Sequence, residues 1–161
     1  MDAISLLKSQ HREVEALFEK IGKAKKPEQK EKLFTKIADS LAIHASIEEH
    51  HFYPSVRDRR TEDILLESLE EHLSIKRILS DLLDTEVTDE TFDAKIKTLE
   101  EQVQHHVEEE EQDLFPKVAK IFDEDELEAI GQTMSEEQAE IEEQGNARDA
   151  IPAETDEPAT L

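Results

Sequence analysis

The sequence predicts an all-α fold: an antiparallel up-down-up-down four-helix bundle, followed by a short C-terminal helix and a disordered acidic tail. Three observations lead there. Only three glycines and five prolines interrupt 161 residues, and Glu, Lys, Leu, Ala and Ile dominate, a composition that favours helix. Apolar residues recur at steps of three and four along four long stretches, the signature of bundle helices. The chain also repeats itself: His11 to His44 spans 33 positions and His72 to His106 spans 34. Residues 1–56 and 61–118 therefore read as two hairpins of one design. Neither can bury its apolar seam alone, and two packed together can.

The first helix is expected from Asp2, a capping residue, to Gly22. Its inward seam is Ile4, Leu7, His11, Val14, Phe18 and Ile21. Lys23 to Pro27 form a loop, and Pro27 suits the first turn of the next helix. The second helix spans 28–53 with Leu33, Ile37, Leu41, His44, Glu48 and Phe52 inward. Pro54 cannot continue a regular helix without a kink, so at most one further turn reaches Val56. Thr61, ahead of Glu62 and Asp63, is the cap candidate for a third helix ending at Leu83. Its seam is Leu65, Leu69, His72, Lys76, Leu79 and Leu83. The fourth helix starts near Thr88 or Asp89 and reaches Leu114, with Ile96, Leu99, Val103, His106, Glu110 and Leu114 inward; Pro116 breaks it. These elements make up a bundle over 1–120. Within 121–144 a fifth, weaker helix covers 124–142, striped by Leu127, Ile130, Met134 and Ile141. Residues 145–161 carry two prolines and little apolar content and are expected to be disordered.

Charge and composition exclude several functions. The formal charge is −23, from 42 acidic against 19 basic residues, so a nucleic-acid backbone or an anionic membrane would be repelled. The absence of cysteine rules out disulfides, thiolate metal sites and cysteine nucleophiles, and fits a reducing compartment. The N-terminal stretch does not read as a signal peptide, and no stretch is apolar enough to span a bilayer. A cytoplasmic location is expected. No nucleophile triad, phosphate loop or nucleotide motif is present.

Two stretches carry the chemistry. His44-Ala-Ser-Ile-Glu48-Glu49 ends in Phe-Tyr-Pro54, and His106-Val-Glu-Glu-Glu110-Glu111 ends in Leu-Phe-Pro116. A histidine and a carboxylate four positions apart on a helix are rotated by about 40° and separated by about 6 Å, so both aim at one point. With His11 and His72 on the other two seams, each helix contributes one inward histidine. Two buried carboxylates without partners would cost several kcal/mol each, and metal ions supply the missing counter-charge. Six ligands, His11, His44, Glu48, His72, His106 and Glu110, exceed one tetrahedral zinc. They suit two octahedral ions, each with two histidines and with the glutamates bridging. Iron fits such a nitrogen and oxygen set, ahead of manganese.

Neighbouring positions have competing roles. His105/Glu109 shares the four-residue spacing but lies off the seam and out of register with Phe-Pro. Glu49, Glu108, Glu109 and Glu111 read as a solvated face, or at most as acceptors behind the ligands. His50 and His51 flank the first site. Lys76 faces inward, either with a snorkelling ammonium at the surface or beside a bound anion. Phe52 and Tyr53 read as packing, and Tyr53 could also donate a hydrogen bond near the site.

These residues resemble the hemerythrin-like family in its HHE cation-binding form. The matching elements are Gln10-His11-Arg12, His44-x-x-x-Glu48-Glu49 closing on Pro54, Glu71-His72, and His105-His106-Val-Glu-Glu-Glu110 closing on Pro116. They cover about 1–120 and are similar to the small stand-alone bacterial members. The resemblance implies a carboxylate- and oxo- or hydroxo-bridged pair of non-haem irons, with zinc or manganese as substitutes. It implies His11 and His44 on one iron, His72 and His106 on the other, and Glu48 and Glu110 bridging. Oxygen carriers of the family have a fifth histidine where this chain has Lys76, and their helix-4 carboxylate is an aspartate further along. The expected ligand is therefore O2, peroxide or nitric oxide, in oxidative-stress response or sensing, with peroxide decomposition as a candidate activity. The alternatives are an iron- or oxygen-sensing module without turnover, and a purely structural bundle whose fifth helix and tail dock a partner.

Overall fold

A computed structural model describes all 161 residues, and every regular element in it is helical. Helix α1 (Ala3–Lys23) starts at Asp2, whose carboxylate accepts the Ser5 backbone N–H at 3.0 Å. Helix α2 begins at Pro27, where the missing N–H would have no intrahelical partner anyway. It covers Pro27–Ile47 and runs through a wider turn (Glu48–Phe52) into a last turn, Tyr53–Ser55. Helix α3 is Glu62–Leu83. Thr61 does not cap it as expected: its hydroxyl accepts from Asp58 N and donates back to Val56 O at 2.8 Å, securing the preceding loop. Helix α4 (Phe92–Glu109) starts later than expected, because Asp89 closes a turn on the N–H and hydroxyl of Thr91. It too widens (Glu110–Leu114) and continues through Phe115–Ile121. Helix α5 (Glu124–Gln144) opens on a capping box between Asp123 and Glu126. No helix is long and apolar enough to cross a membrane.

The two wide turns overturn the expectation that Pro116 breaks its helix as Pro54 breaks the other. In an α-helix a proline ring collides with the carbonyl four residues back. Here the N–H before each proline reaches five residues back instead, Tyr53 N to Glu48 O and Phe115 N to Glu110 O. The extra residue makes room for the ring and lets the helix continue. It also rotates the end of the helix, so that two consecutive large side chains point inward at each wide turn. Phe52 and Tyr53 are 0% exposed, Leu114 is 0% and Phe115 is 2%.

The core has two apolar clusters. One gathers Val14, Phe18, Phe34, Ile37, Leu79 and Leu99 with their neighbours, and the other gathers Leu7, Ile47, Phe52, Leu65, Leu69 and Phe115 with theirs. On α1, α2 and α3 the seam histidine falls between the residues of one cluster and those of the other; on α4 His106 sits at the end of the first cluster, between Val103 and Val107, and the second resumes at Leu114. Helix α5 packs on α1 and α2. At Gly131 a Cβ would fall against the Met1 carbonyl and within 2.8 Å of Ala3 N, so the N-terminal backbone would have to move. Gly131→Ala is expected to cost about 1–3 kcal/mol despite the better helix propensity of alanine. Calorimetry would show a melting temperature several degrees lower, and an unchanged value would mean that the N-terminus yields freely.

The C-terminus departs from the expected disordered tail. Residues Ala147–Glu154 form a 3₁₀ helix after a turn at Gly145 (φ 74°) and Asn146 (φ 55°). It lies against both α2 and α3. Ile151 is 2% exposed and belongs to the first core cluster. Arg148 pairs with Asp39 through its guanidinium and its backbone N–H, and Arg77 donates to the carbonyls of Thr155 and Asp156. One buried apolar anchor, half-buried contacts from Ala147, Ala159 and Leu161, and several polar clamps order a segment whose composition alone argues for disorder.

Candidate metal centre

Each of α1 to α4 places one histidine in the layer where the clusters meet. His11, His72 and His106 are buried and His44 is nearly so. Glu48 and Glu110 open the two wide turns and are 0% exposed. The six residues form two trios, each with its ligand atoms within 4.8 Å of one another: His11, His44 and Glu110, then Glu48, His72 and His106. Histidines of one hairpin stay together and the carboxylates cross over. Each carboxylate also touches both trios. Glu48 Oε1 is 3.0 Å from Nε2 of both His44 and His72, and Glu110 Oε1 is 3.1 Å from His11 Nε2 and 3.5 Å from His106 Nε2.

A ring of outer partners aims the imidazoles. The Nδ1–H of His44 donates to Gln10 at 2.7 Å, that of His72 to Glu49 at 2.7 Å, that of His106 to Glu71 at 2.8 Å, and that of His11 to Glu111 at 2.7 Å. Each acceptor is the chain neighbour of one site residue and reaches a histidine on the next helix, so the bonds run α1 to α2 to α3 to α4 and back to α1. An imidazole whose Nδ1 carries the proton offers its Nε2 lone pair. All four Nε2 atoms therefore face one interior volume.

That arrangement fits a cation and poorly fits its absence. The Nε2 atoms of His72 and His106 are 3.2 Å apart, so with both Nδ1 atoms protonated two lone pairs oppose each other. His44 Nε2 and Glu48 Oε2 are buried without a hydrogen-bond partner; the 3.0 Å approach of His44 to Glu48 is off the line of a hydrogen bond. Buried polar atoms are rarely left so. Protons partly compensate. Burial opposes charge on His106, but Glu110, Glu48 and Glu71 outweigh it and hold its pKa well above the ordinary value. His11 and His72 are raised for the same reason by their own carboxylates. Burial would raise Glu48, yet His44, Glu110 and His106 hold it well below the usual carboxylate range.

The flanking residues sort themselves by position. Tyr53 donates to Glu110 Oε2 at 2.7 Å and lies 3.2 Å from His72 Nε2, so it belongs to the site as well as to the core. His105 is 65% exposed, between Glu71 and Glu109, and is not the inward histidine; the contact with Glu71 pushes Glu109 up to about 7. Glu108 is solvated. His50 and His51 turn away and hold Glu137 of α5. Lys76 neither snorkels to the surface nor stands free for an anion. It is 5% exposed, with Nζ 2.9 Å from both Glu49 and Glu154. Spacing does not single out Gln10, Glu71 and Glu111 as contributors, because they lie off the seam. The available signal is the repeat of doublets: Gln-His and Glu-His on α1 and α3, Glu-Glu on α2 and α4. Beside the histidines lies a chamber of about 80 Å³, walled by Val14, Leu41, Leu79, Val103 and Ile151.

Known proteins share this architecture. The crystal structure of a hemerythrin HHE cation binding domain-containing protein from Mycobacterium kansasii superposes with a TM-score of 0.81, covering 96% of this chain and 99% of that one at 23% identity. A protein named DNA nickase from Nostoc sp. is 28% identical over 115 residues, which are 71% of this chain and 33% of that protein. The chain thus spans about a third of the length of that curated relative. The family described as Hemerythrin HHE cation binding domain matches residues 2–118, the stretch that supplies all six inward ligand candidates, and the chain belongs to that family.

Proposed function

We propose that this chain is a non-haem di-iron protein that binds or reacts with O2, peroxide or nitric oxide, in oxidative-stress defence or sensing. The observation that carries this reading is the closed ring of Nδ1 bonds, which leaves four Nε2 lone pairs and two buried carboxylates facing one volume. In this reading His11 and His44 would hold one ion and His72 and His106 the other, and Glu48 and Glu110, each close to histidines of both pairs, would complete the ligand set. Six ligands exceed the four of a single tetrahedral zinc and so call for two ions, and iron accepts the mixture of imidazole nitrogen and carboxylate oxygen. Bound iron supplies a redox-active Lewis acid with positions open to a small ligand. The alternation of the apolar clusters along successive helices supports the up-down-up-down bundle that such a site needs.

The protein's own groups prepare the site. Tyr53 fixes the orientation of Glu110 through its hydroxyl. Glu49 and Lys76 neutralise each other behind His72, where oxygen carriers of the family place a fifth histidine. The chamber sets the apolar side chains of Val14, Leu41, Leu79, Val103 and Ile151 beside the histidines, with Gln10, Ser40 and Gln138 at its polar side. Metal analysis of the purified protein, with absorption spectra before and after peroxide, tests the reading. Two irons per chain and a near-ultraviolet charge-transfer band that peroxide alters are expected. A chain that keeps less than one metal ion through purification and reloading would overturn it.

A second reading, an iron or oxygen sensor without turnover, is favoured by one connection. Glu154 binds Lys76, Lys76 binds Glu49, and Glu49 holds His72, which ties the C-terminal segment to the centre. Steady peroxide consumption followed with an oxygen electrode supports the first reading. Metal-dependent ordering of the segment without consumption supports the second.

A further inference from the structure

We propose that the C-terminal 3₁₀ segment is a movable wall of the chamber, and that Ile151 is the residue that restricts it to molecules smaller than an aromatic ring. The inference deepens the reading of a small-ligand site and rests on it. Helix α2 packs chiefly on α1 and α3 chiefly on α4, whereas Ala147–Glu154 lies against both α2 and α3. The segment closes the side of the fold where those two helices give each other least cover. Its one buried side chain, Ile151, lines the same chamber as His11, His44, His72 and His106. Against the roughly 150 Å³ of an apolar cavity that binds benzene, this chamber of about 80 Å³ is about half as large. That volume suits a diatomic molecule or peroxide and excludes an aromatic ring.

The wall is built to open. Ile151 is its one fully buried fastening; Ala147, and Ala159 and Leu161 beyond it, add half-buried apolar contacts, and the rest are polar and lie near the surface: Arg148 on Asp39, Arg77 on two carbonyls, and Glu154 on Lys76. Glu154 is 43% exposed, and the pair it makes is the one that leads inward to Glu49. The turn at Gly145 and Asn146, both at positive φ, separates the segment from α5, so it can lift without unwinding that helix. Segments held by few buried apolar contacts and by polar clamps near the surface occupy the low-stability end of a fold.

The test uses the full-length protein without metal, so it reads the wall whether or not iron is the physiological ion. Methyl NMR of Leu79, Val103 and Val107 is followed during titration with xenon and with benzene. Wild type is expected to respond to xenon only. Ile151→Ala, which removes three carbon atoms, is expected to respond to both, and Ile151→Val to give benzene shifts between those of wild type and alanine. Benzene shifts that are equal in all three proteins, or absent from all, overturn the size restriction. Hydrogen exchange then examines the fastening: Glu154→Gln is expected to speed exchange in 147–156 about fivefold, the effect of losing one half-exposed ion pair. Unchanged exchange there overturns the latch. Failure of the iron reading would appear separately, as a chain that responds normally to xenon and benzene but retains no metal.

Discussion

His106→Ala is expected to lose metal retention and to lower the melting temperature of the loaded protein, while His105→Ala leaves both close to wild type. The two residues are adjacent, and each has a carboxylate four positions on. Only burial and direction separate them. His106 is 3% exposed, with Nε2 3.2 Å from that of His72 and 3.5 Å from Glu110, and its Nδ1 is fixed by Glu71. Removing it leaves Glu48 and Glu110 buried with one cationic partner fewer and frees Glu71. Breaking a buried charge arrangement from one side costs about 3–5 kcal/mol, or about 6–20 °C for a chain of this size. His105 is mostly solvated, and its loss should stay within about 0.5 kcal/mol. Metal content per chain and calorimetry on both variants decide the matter. If His105→Ala lost metal and His106→Ala kept it, the ligand register would move by one residue and the proposed centre would fall with it.

The sequence exposes the inward ligand candidates more readily than their supports. Seam periodicity alone points His11, His44, His72 and His106 inward, because a helix has one apolar stripe and these residues interrupt it. The supports are hidden for a geometric reason. Gln10, Glu49, Glu71 and Glu111 sit one position off the seam, and they act across a helix boundary that no local period describes. Only the doublets hint at them. The prolines mislead, because Pro54 and Pro116 argue for helix ends as long as a 3.6-residue turn is assumed. The wide turn accommodates them, and it also lets Glu48 and Glu49 both be buried. Composition misreads the C-terminal segment because it averages over a window. One isoleucine with a cavity to fill, and two arginines with acceptors within reach, outweigh the polar residues around them in a way that an average cannot register.

Chelation is expected to reverse the pH dependence of stability, and the sign follows from the site. In the metal-free chain burial works against protonation of His11, His72 and His106, but their carboxylate partners prevail and raise all three above the ordinary 6.5, His106 the most. A group raised on folding stabilises the fold below its unfolded pKa and loses that contribution as pH climbs through the folded value. Glu48 carries the other sign. Its contribution is present above the ordinary 4.5 and is lost as pH falls through its depressed value. The metal-free chain is therefore most stable at about pH 4.5–6.5 and weakens towards pH 9. Metal ligation needs neutral imidazoles, so protons compete with the ion and the loaded chain behaves oppositely. Melting curves of chelated and loaded protein at pH 6 and pH 9 should diverge as pH rises. With free metal at a thousand times its Kd, about 4 kcal/mol separates the two forms, or about 8–16 °C. A gap that instead narrows between pH 6 and pH 9 would mean that the four imidazoles do not hold the ion, because only their deprotonation can favour the loaded form over that interval.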